Sequence, residues 1–262
     1  MACGTNIVAG VNPKKAGDSH LDCPIYASVY EASKQHDIDI SIMFIPPLMA
    51  KSAAIDACDA GVKLLVCLTE HIPAQDVMEI HAAAKANGTR IVGPNTAGLV
   101  TPGEAAIGIM PAFNDNIFQK GDVGVISRSG SLGTLVCLLL TQQSIGQSVF
   151  YGIGGDPMIG TNSMEALKML NEDPNTKAII LCGEIGGSME EEAAEYAKTI
   201  KKPVVAFIAG RQSPAGKKMG HAGAIVADGK GDYASKRQAL EAANIQVADV
   251  PSQLPSMIKA IA

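Results

Sequence analysis

The sequence predicts an α/β protein made of two successive doubly wound units, each a parallel sheet flanked by helices. Three observations carry that expectation. Short continuous apolar runs alternate with longer helical segments, the pattern of buried strands joined by crossover helices. The alternation lapses after residue 95 and restarts at Asp122, which divides the chain in two. Composition agrees: 47% of the 262 residues are hydrophobic, 18% are charged, and tryptophan is absent. That length holds one large or two ordinary domains, and the balance excludes disorder.

In the first unit, residues 6–11 read as a strand leading into the loop Asn12-Pro13-Lys14-Lys15-Ala16-Gly17. Residues 26–35 read as a helix, 39–45 as a buried strand stopped by Pro46-Pro47, and 48–60 as a helix stopped by Gly61. Residues 62–68 form another apolar strand, ending in Thr69-Glu70. Pro73 opens a helix that stops at Asn87-Gly88, and a short strand over 90–92 feeds Gly93-Pro94-Asn95. Ligands of such sheets bind beyond the carboxyl ends of the strands. The loops after Val11, Ile45, Leu68 and Val92 are therefore expected to share one rim.

Residues 96–120, rich in Gly, Pro and Asn, read as a connection between domains 1–95 and 121–262. In the second unit strands are expected at 123–126, 148–152, 178–182 and 203–208. Helices at 131–142, 163–171 and 188–200 separate them. A helix at 233–243, then a short strand and a closing helix over 245–261, complete the chain.

A formal charge of −5 gives no electrostatic reason to expect nucleic acid. No apolar run reaches bilayer length, and no signal-peptide pattern opens the sequence. Cys3, Cys23, Cys58, Cys67, Cys137 and Cys182 have no metal-type spacing and read as reduced thiols, several of them buried. The five histidines form no ligand pair either, so no metal site is expected.

Four strand-end loops of the second unit can carry chemistry. Ser127-Arg128-Ser129-Gly130-Ser131 lies between a strand and an apolar helix, where free N–H groups and the helix dipole attract anions. For an isolated SxSG, an ordinary serine cap is the favoured account. Gly152-Ile153-Gly154-Gly155-Asp156-Pro157 allows close backbone approach to a ligand, or simply a tight turn. Gly183-Glu184-Ile185-Gly186-Gly187-Ser188 sets the Glu184 carboxylate at a strand end, whereas Glu190 to Glu192 read as a solvated first helical turn. In the fourth, Gly220-His221-Ala222-Gly223-Ala224-Ile225, a histidine stands between glycines, in a segment that is neither helix nor strand. A basic run, 211–219, precedes it and a glycine-rich run, 228–232, follows. An anion cradle, a carboxylate and an imidazole on one rim point to phosphoryl transfer through histidine.

These runs, with Thr69-Glu70, Ile72-Pro73 and Gly93-Pro94-Asn95, occur in the order and spacing of a known family. Over essentially its whole length the chain resembles the α subunit of succinyl-CoA synthetase. The resemblance implies a Rossmann-like CoA-binding domain followed by a flavodoxin-like ligase domain. It also implies a partner, an ATP-grasp β subunit, in a heterodimer or heterotetramer, with coenzyme A and Mg-bound ATP or GTP as cofactors. The implied reaction joins CoA to a dicarboxylic acid, succinate first among them, through a phosphohistidine and an acyl phosphate. His221 matches the phosphorylated histidine and Glu184 the carboxylate that steadies it. Ser127, Ser129, Gly130 and Ser131 match the phosphate-holding helix start. Lys15, Ile45, Pro46, Leu68, Thr69, Glu70 and Asn95 match the CoA rim, and Tyr151, Gly154 and Gly155 the acid site. A cytoplasmic location is implied, or the mitochondrial matrix in a eukaryote.

The chain departs from the family at several places near CoA or the acid. It has Asn12-Pro13-Lys14-Lys15-Ala16-Gly17 for Thr-Pro-Gly-Lys-Gly-Gly, Thr96-Ala97 for Cys-Pro, and His71 for a glycine. After Ser129-Gly130 it reads Ser131-Leu132-Gly133-Thr134-Leu135 where the family has Thr-Leu-Thr-Tyr-Glu. Malate–CoA ligase and citryl-CoA synthetase, which share the architecture, are the alternatives. Residues 1–5 align with the end of the family's first helix, so the opening strand and its Gly-rich CoA loop do not appear in this sequence. Either the sequence starts late, the favoured reading, or the protein binds CoA poorly. A non-catalytic CoA-sensing protein on the same fold is the rival from another class. An NAD oxidoreductase is disfavoured by the lack of GxGxxG.

Overall fold

The computed structural model describes residues 3–214, 220–226 and 231–261. Its first strands form a small separate sheet of β1 (Gly10–Val11), β2 (Ser19–His20) and β3 (Cys23–Tyr26), in the order β1-β3-β2. Helix α1 (Val29–Ser33) follows, capped by Ser28 Oγ, which accepts from Glu31 N at 3.0 Å. These findings correct two expectations. Residues 6–11 are not one strand of the first large sheet, because Gly10 and Val11 pair in parallel with Ile25 and Tyr26. The helix expected from residue 26 begins only after the Ser28 cap, since Cys23–Tyr26 is committed to that pairing.

The next unit is a parallel sheet of β4 (Ile40–Met43), β5 (Leu64–Cys67) and β6 (Arg90–Val92), crossed by α2 (Ala50–Asp59) and α3 (Ala74–Asn87). Gly88 ends α3 in the left-handed conformation at φ 71°, as its position after Asn87 predicts. Strand alternation divides this sheet between two cores. Leu65, Cys67 and Ile91 share one core with α2 and α3, while Val66 and Val92 share another with Tyr151 and Ile153 of the second unit.

The second sheet has seven strands in the order β13-β12-β11-β9-β10-β7-β8. Its first two strands, β7 (Gly98–Thr101) and β8 (Ala105–Gly108), form a hairpin within the segment read as a plain connection. Gly98 faces Gly108, and a methyl group on Gly98 would lie 2.0 Å from Ile107 O. Glycine at paired positions lets the two backbones close up and erases the apolar alternation by which a strand is read. The rest alternates strand and helix: β9 (Lys120–Ser127), α4 (Gly130–Thr141), β10 (Gln147–Gly152), α5 (Ser163–Glu172), β11 (Ala178–Glu184) and α6 (Met189–Ala197). Then come β12 (Val204–Ala209), α7 (Tyr233–Ala242), β13 (Gln246–Ala248) and α8 (Leu254–Ile261). Strands β9 to β13 pair in parallel, and β7 joins β10 antiparallel.

Every residue of β11 is buried. Ile179 and Leu181 pack with α5, α6 and α7, whereas Ala178, Ile180 and Cys182 pack with α4 and α8. This is the two-sided burial that continuous apolar strands predict. All six cysteines are free thiols, and four of them are buried. No helix among the described residues is long and apolar enough to cross a membrane.

The two large sheets meet through the segment after β10. Gly93 N donates to Ile153 O at 3.3 Å, Gly160 N to Gly93 O at 2.8 Å, and Thr161 Oγ1 to Ile91 O at 2.6 Å. A methyl on Gly160 would fall 2.3 Å from Ile91 Cβ and 2.7 Å from Ile91 O. Gly160→Ala is therefore expected to destabilise the fold by about 1–3 kcal/mol through overpacking, read as a lower urea midpoint at unchanged slope.

Candidate active site

Parallel pairing brings the carboxyl ends of β9, β10, β11 and β12 to one edge of the large sheet, and each end leads into one of the four loops singled out in the sequence. Glu184 is the last residue of β11, opposite Ala209 of β12. Buried strand pairing thus fixes its backbone, and its side chain is 9% exposed. The His221 loop reaches back over this end. A carbon added to Gly186, whose φ is +95°, would meet Gly223 O at 2.1 Å, so the two loops touch where only glycine fits. Gly155 supplies the other wall: a carbon there would lie 2.4 Å from His221 Cγ. Gly223 N donates to Gly155 O at 3.1 Å.

Within this frame His221 Nδ1 lies 2.8 Å from Glu184 Oε2 and 3.0 Å from Oε1. Against a carboxylate, Nδ1 has to carry the proton and donate, which leaves the Nε2 lone pair free. Nε2 has no protein partner among the described residues. The Glu184 hydrogen bond pushes the His221 pKa above its usual 6.5. Partial burial and the Arg128 charge oppose that rise, and the Glu184 and Asp156 charges reinforce it. The ring, 27% exposed, is reachable from outside.

Under this pair lies a buried ionic network that the sequence reading missed. Arg128 Nη2 is 3.2 Å from Glu184 Oε1, and Nη1 is 3.5 Å from Glu190 Oε1. Lys236 Nζ contacts Glu190 Oε2 at 2.6 Å and Glu191 Oε2 at 2.8 Å. The expectation of a solvated turn is wrong for Glu190, whose side chain is 0% exposed. The run of three glutamates concealed that residue 190 faces inward on α6, beside Ala193, Ala194 and Ala197. Small residues at helical spacing from it were the available signal.

The helix-start residues lie one strand over. Ser129 is the N-cap of α4: its Oγ accepts from Leu132 N at 3.4 Å and lies 3.2 Å from Ser131 Oγ. Ser127 is buried, and its hydroxyl donates to Ser129 O at 2.7 Å, so it shapes the turn. Gly130 and Ser131 begin the helix, with Ser131 exposed.

The other rim is joined to this site. Thr69 Oγ1 donates to Ile45 O at 2.8 Å, and Asn95 N to Thr69 O at 3.0 Å. Asn95 Nδ2 then donates to Asp156 Oδ1 at 3.0 Å, and Gly155 N donates to Asn95 O at 3.2 Å. Ile45, Thr69 and Asn95 therefore come together within one residue of the His221 wall. Leu68 is half-buried beside them, with its N–H 3.4 Å from Met43 O, while Pro46 and Glu70 are exposed. Lys15 lies in a turn beside the small sheet, exposed, with its backbone N bonded to Asn12 O at 3.0 Å.

Tyr151, matched to the acid site by the resemblance, is buried. It is 7% exposed and lies in the apolar core with Val66, Val92 and Ile153, because its face of β10 turns toward the first sheet. Burial pushes its hydroxyl pKa up, with Thr161 opposing as its hydrogen-bond partner. Gly154 and Gly155 do border the site; Gly154, at φ +107°, abuts Pro94 O. Parts of the flanking basic and glycine-rich runs, 215–219 and 228–230, lie outside the described residues.

A family profile described as CoA-ligase matches residues 126–246, and one described as CoA binding domain matches residues 1–71. The chain is 45% identical over 258 residues to subunit alpha 2 of succinate–CoA ligase [ADP-forming] from Archaeoglobus fulgidus, covering 98% of this chain and 89% of that one. The corresponding alpha subunit from Methanothermobacter thermautotrophicus is 46% identical over 257 residues, 98% of this chain and 86% of the other. Among solved structures, ATP citrate lyase from Methanothrix soehngenii in complex with citrate and coenzyme A aligns with a TM-score of 0.86 and 25% identity. That match covers 96% of this chain and 45% of the lyase chain, so this chain spans under half of that protein's length.

Two outcomes follow from this geometry. Glu184→Gln removes the charge that raises the His221 pKa, and an NMR titration of the imidazole is expected to move to lower pH. Lys236→Met strands Glu190 in the interior and is expected to cost about 3–5 kcal/mol in chemical denaturation.

Proposed function

The chain belongs to the family of succinate–CoA ligase α subunits, and on that premise we propose that His221 is the phosphoryl carrier of an acid–thiol ligase. The observation that carries the reading is the Glu184 contact at Nδ1, 2.8 Å, which reserves Nε2 for phosphorus. An imidazole held in this tautomer is an aimed nucleophile.

The chemistry proceeds by three displacements. The Nε2 lone pair attacks the γ-phosphorus of a nucleoside triphosphate, and the P–O bond to the leaving diphosphate breaks. The Nδ1 proton stays in its bond to Glu184, which balances the charge on the ring. A carboxylate oxygen of the acid then attacks the same phosphorus, and the P–N pair returns to Nε2, leaving an acyl phosphate. Coenzyme A supplies the thiol that takes the acyl group and frees phosphate. Between the first two steps the phosphoryl dianion needs donors, and the α4 start at Ser129, Gly130 and Ser131 offers free N–H groups and the positive end of the dipole.

We place CoA along the rim of Ile45, Pro46, Leu68, Thr69, Glu70 and Asn95. That edge is open, with Pro46 and Glu70 exposed, and it leads through Asn95 and Gly155 to His221. Lys15, exposed on its turn, suits a phosphate as a point charge and makes no hydrogen bond to this rim among the described residues. An α subunit implies a partner subunit; an ATP-grasp β subunit is the partner that fits the nucleotide step. Succinate is the proposed acid, with malate and citrate as its competitors.

The test mixes the chain with its partner subunit and Mg-ATP or Mg-GTP and maps phosphate by mass spectrometry under alkaline conditions. An acid-labile phosphate is expected on His221, absent from His221→Asn, and discharged by succinate with CoA to give a thioester. Because the neutral ring is the nucleophile, labelling is expected to rise with pH through an inflection above 6.5, the direction in which Glu184 shifts the imidazole. A bare His221 beside a competent partner would overturn the assignment. Discharge only by malate or citrate would reassign the acid.

A further inference from the structure

We propose that Arg128 is the positioning residue of the His221–Glu184 pair, and that the buried Glu190–Lys236 pair orients Arg128 in turn. This deepens the phosphoryl-carrier reading and rests on it. Arg128, 2% exposed, stands at the end of β9 with its N–H bonded to Cys182 O at 3.2 Å. Its guanidinium fills the space between the loops. Nη2 meets the Glu184 carboxylate at 3.2 Å, while Nη1 donates to the carbonyls of Glu184 at 3.3 Å and Gly186 at 3.2 Å. The same group is a floor for the His221 loop, since a carbon on Gly223 would lie 2.7 Å from Nη2.

Glu190 continues the network. It accepts from Glu184 N at 3.2 Å and from Lys236 Nζ at 2.6 Å. Lys236 also donates to Gly187 O at 2.9 Å and belongs to α7, the helix after the His221 loop. One chain of contacts therefore joins the helix beyond the loop to the carboxylate under the imidazole. Buried ion pairs add little net stability over apolar packing, so what these charges supply is a fixed geometry. The planar fork presents its donors to a carboxylate and two carbonyls in a fixed geometry, which the single ammonium of a lysine at the same position does not reproduce. Arg128 also balances charge. Among the described residues, the ionic groups acting on His221 are Glu184 and Asp156, which draw a proton onto the ring, and Arg128, which opposes them.

The test compares variants in two measurements: NMR titration of His221 in the full chain, and the rate of His221 phosphorylation in the complex with the partner subunit. Arg128→Gln is expected to move the titration to higher pH, because the opposing charge is gone. Arg128→Lys is expected to hold the titration near its original position while slowing phosphorylation by roughly ten- to a hundredfold, because charge remains and placement is lost. The double variant Glu190→Leu with Lys236→Met removes the pair without stranding a fully buried charge, since Glu191, the other partner of Lys236, is 25% exposed, so it keeps the test readable. It is expected to slow phosphorylation as Arg128→Lys does. Folded Arg128→Gln and double-variant proteins with the original titration and rate would overturn the proposal. If the unaltered protein is never phosphorylated on His221, the carrier reading fails, and the Arg128→Gln titration still decides what Arg128 does to the imidazole.

Discussion

The site depends on one hydrogen bond, from His221 Nδ1 to the Glu184 carboxylate at 2.8 Å. It fixes the tautomer and points Nε2 outward, and it requires a carboxylate whose own position cannot drift. The fold meets that requirement by ending its most buried strand on Glu184 and pairing the residue with Ala209. Glycines at 155, 186 and 223 then bring the loops into backbone contact around it. A side chain at any of these would separate groups that have to touch.

The second constraint is the junction between the sheets. The Gly93–Asn95 turn and the segment 153–161 share backbone hydrogen bonds, so the candidate CoA rim and the His221 wall are parts of one connected structure. Asp156 lies at the crossing, bonded to Asn95 and within electrostatic reach of the imidazole. For the proposed role of His221, which meets a nucleotide and then an acid, walls that are already set are an advantage.

Much of this was legible in the sequence, for identifiable reasons. Continuous apolar strands such as residues 178–182 have few alternatives in a chain of this composition, and their ends place Glu184 and the His221 loop on one edge. What stayed hidden depends on partners distant in the chain. The 98–108 hairpin is made by two glycines facing each other, which erases the strand pattern. Tyr151 is matched to the acid site by the resemblance alone, and its burial depends on a sheet of the first unit that packs against its side of β10. Glu190 sits in an acidic run, and its burial is explained by distant partners, Lys236 on the next helix and Arg128 after β9. The first strand depends on pairing with residues 25 and 26, which no local periodicity records.

The most direct measurement of the central claim is which ring nitrogen carries the phosphate. After phosphorylation by the complex, nitrogen–phosphorus and nitrogen–proton NMR correlations on ¹⁵N-labelled His221 distinguish the two isomers. The geometry predicts phosphate on Nε2 with the proton retained on Nδ1 against Glu184. Phosphate on Nδ1 would contradict the account, since that atom could then no longer donate to Glu184.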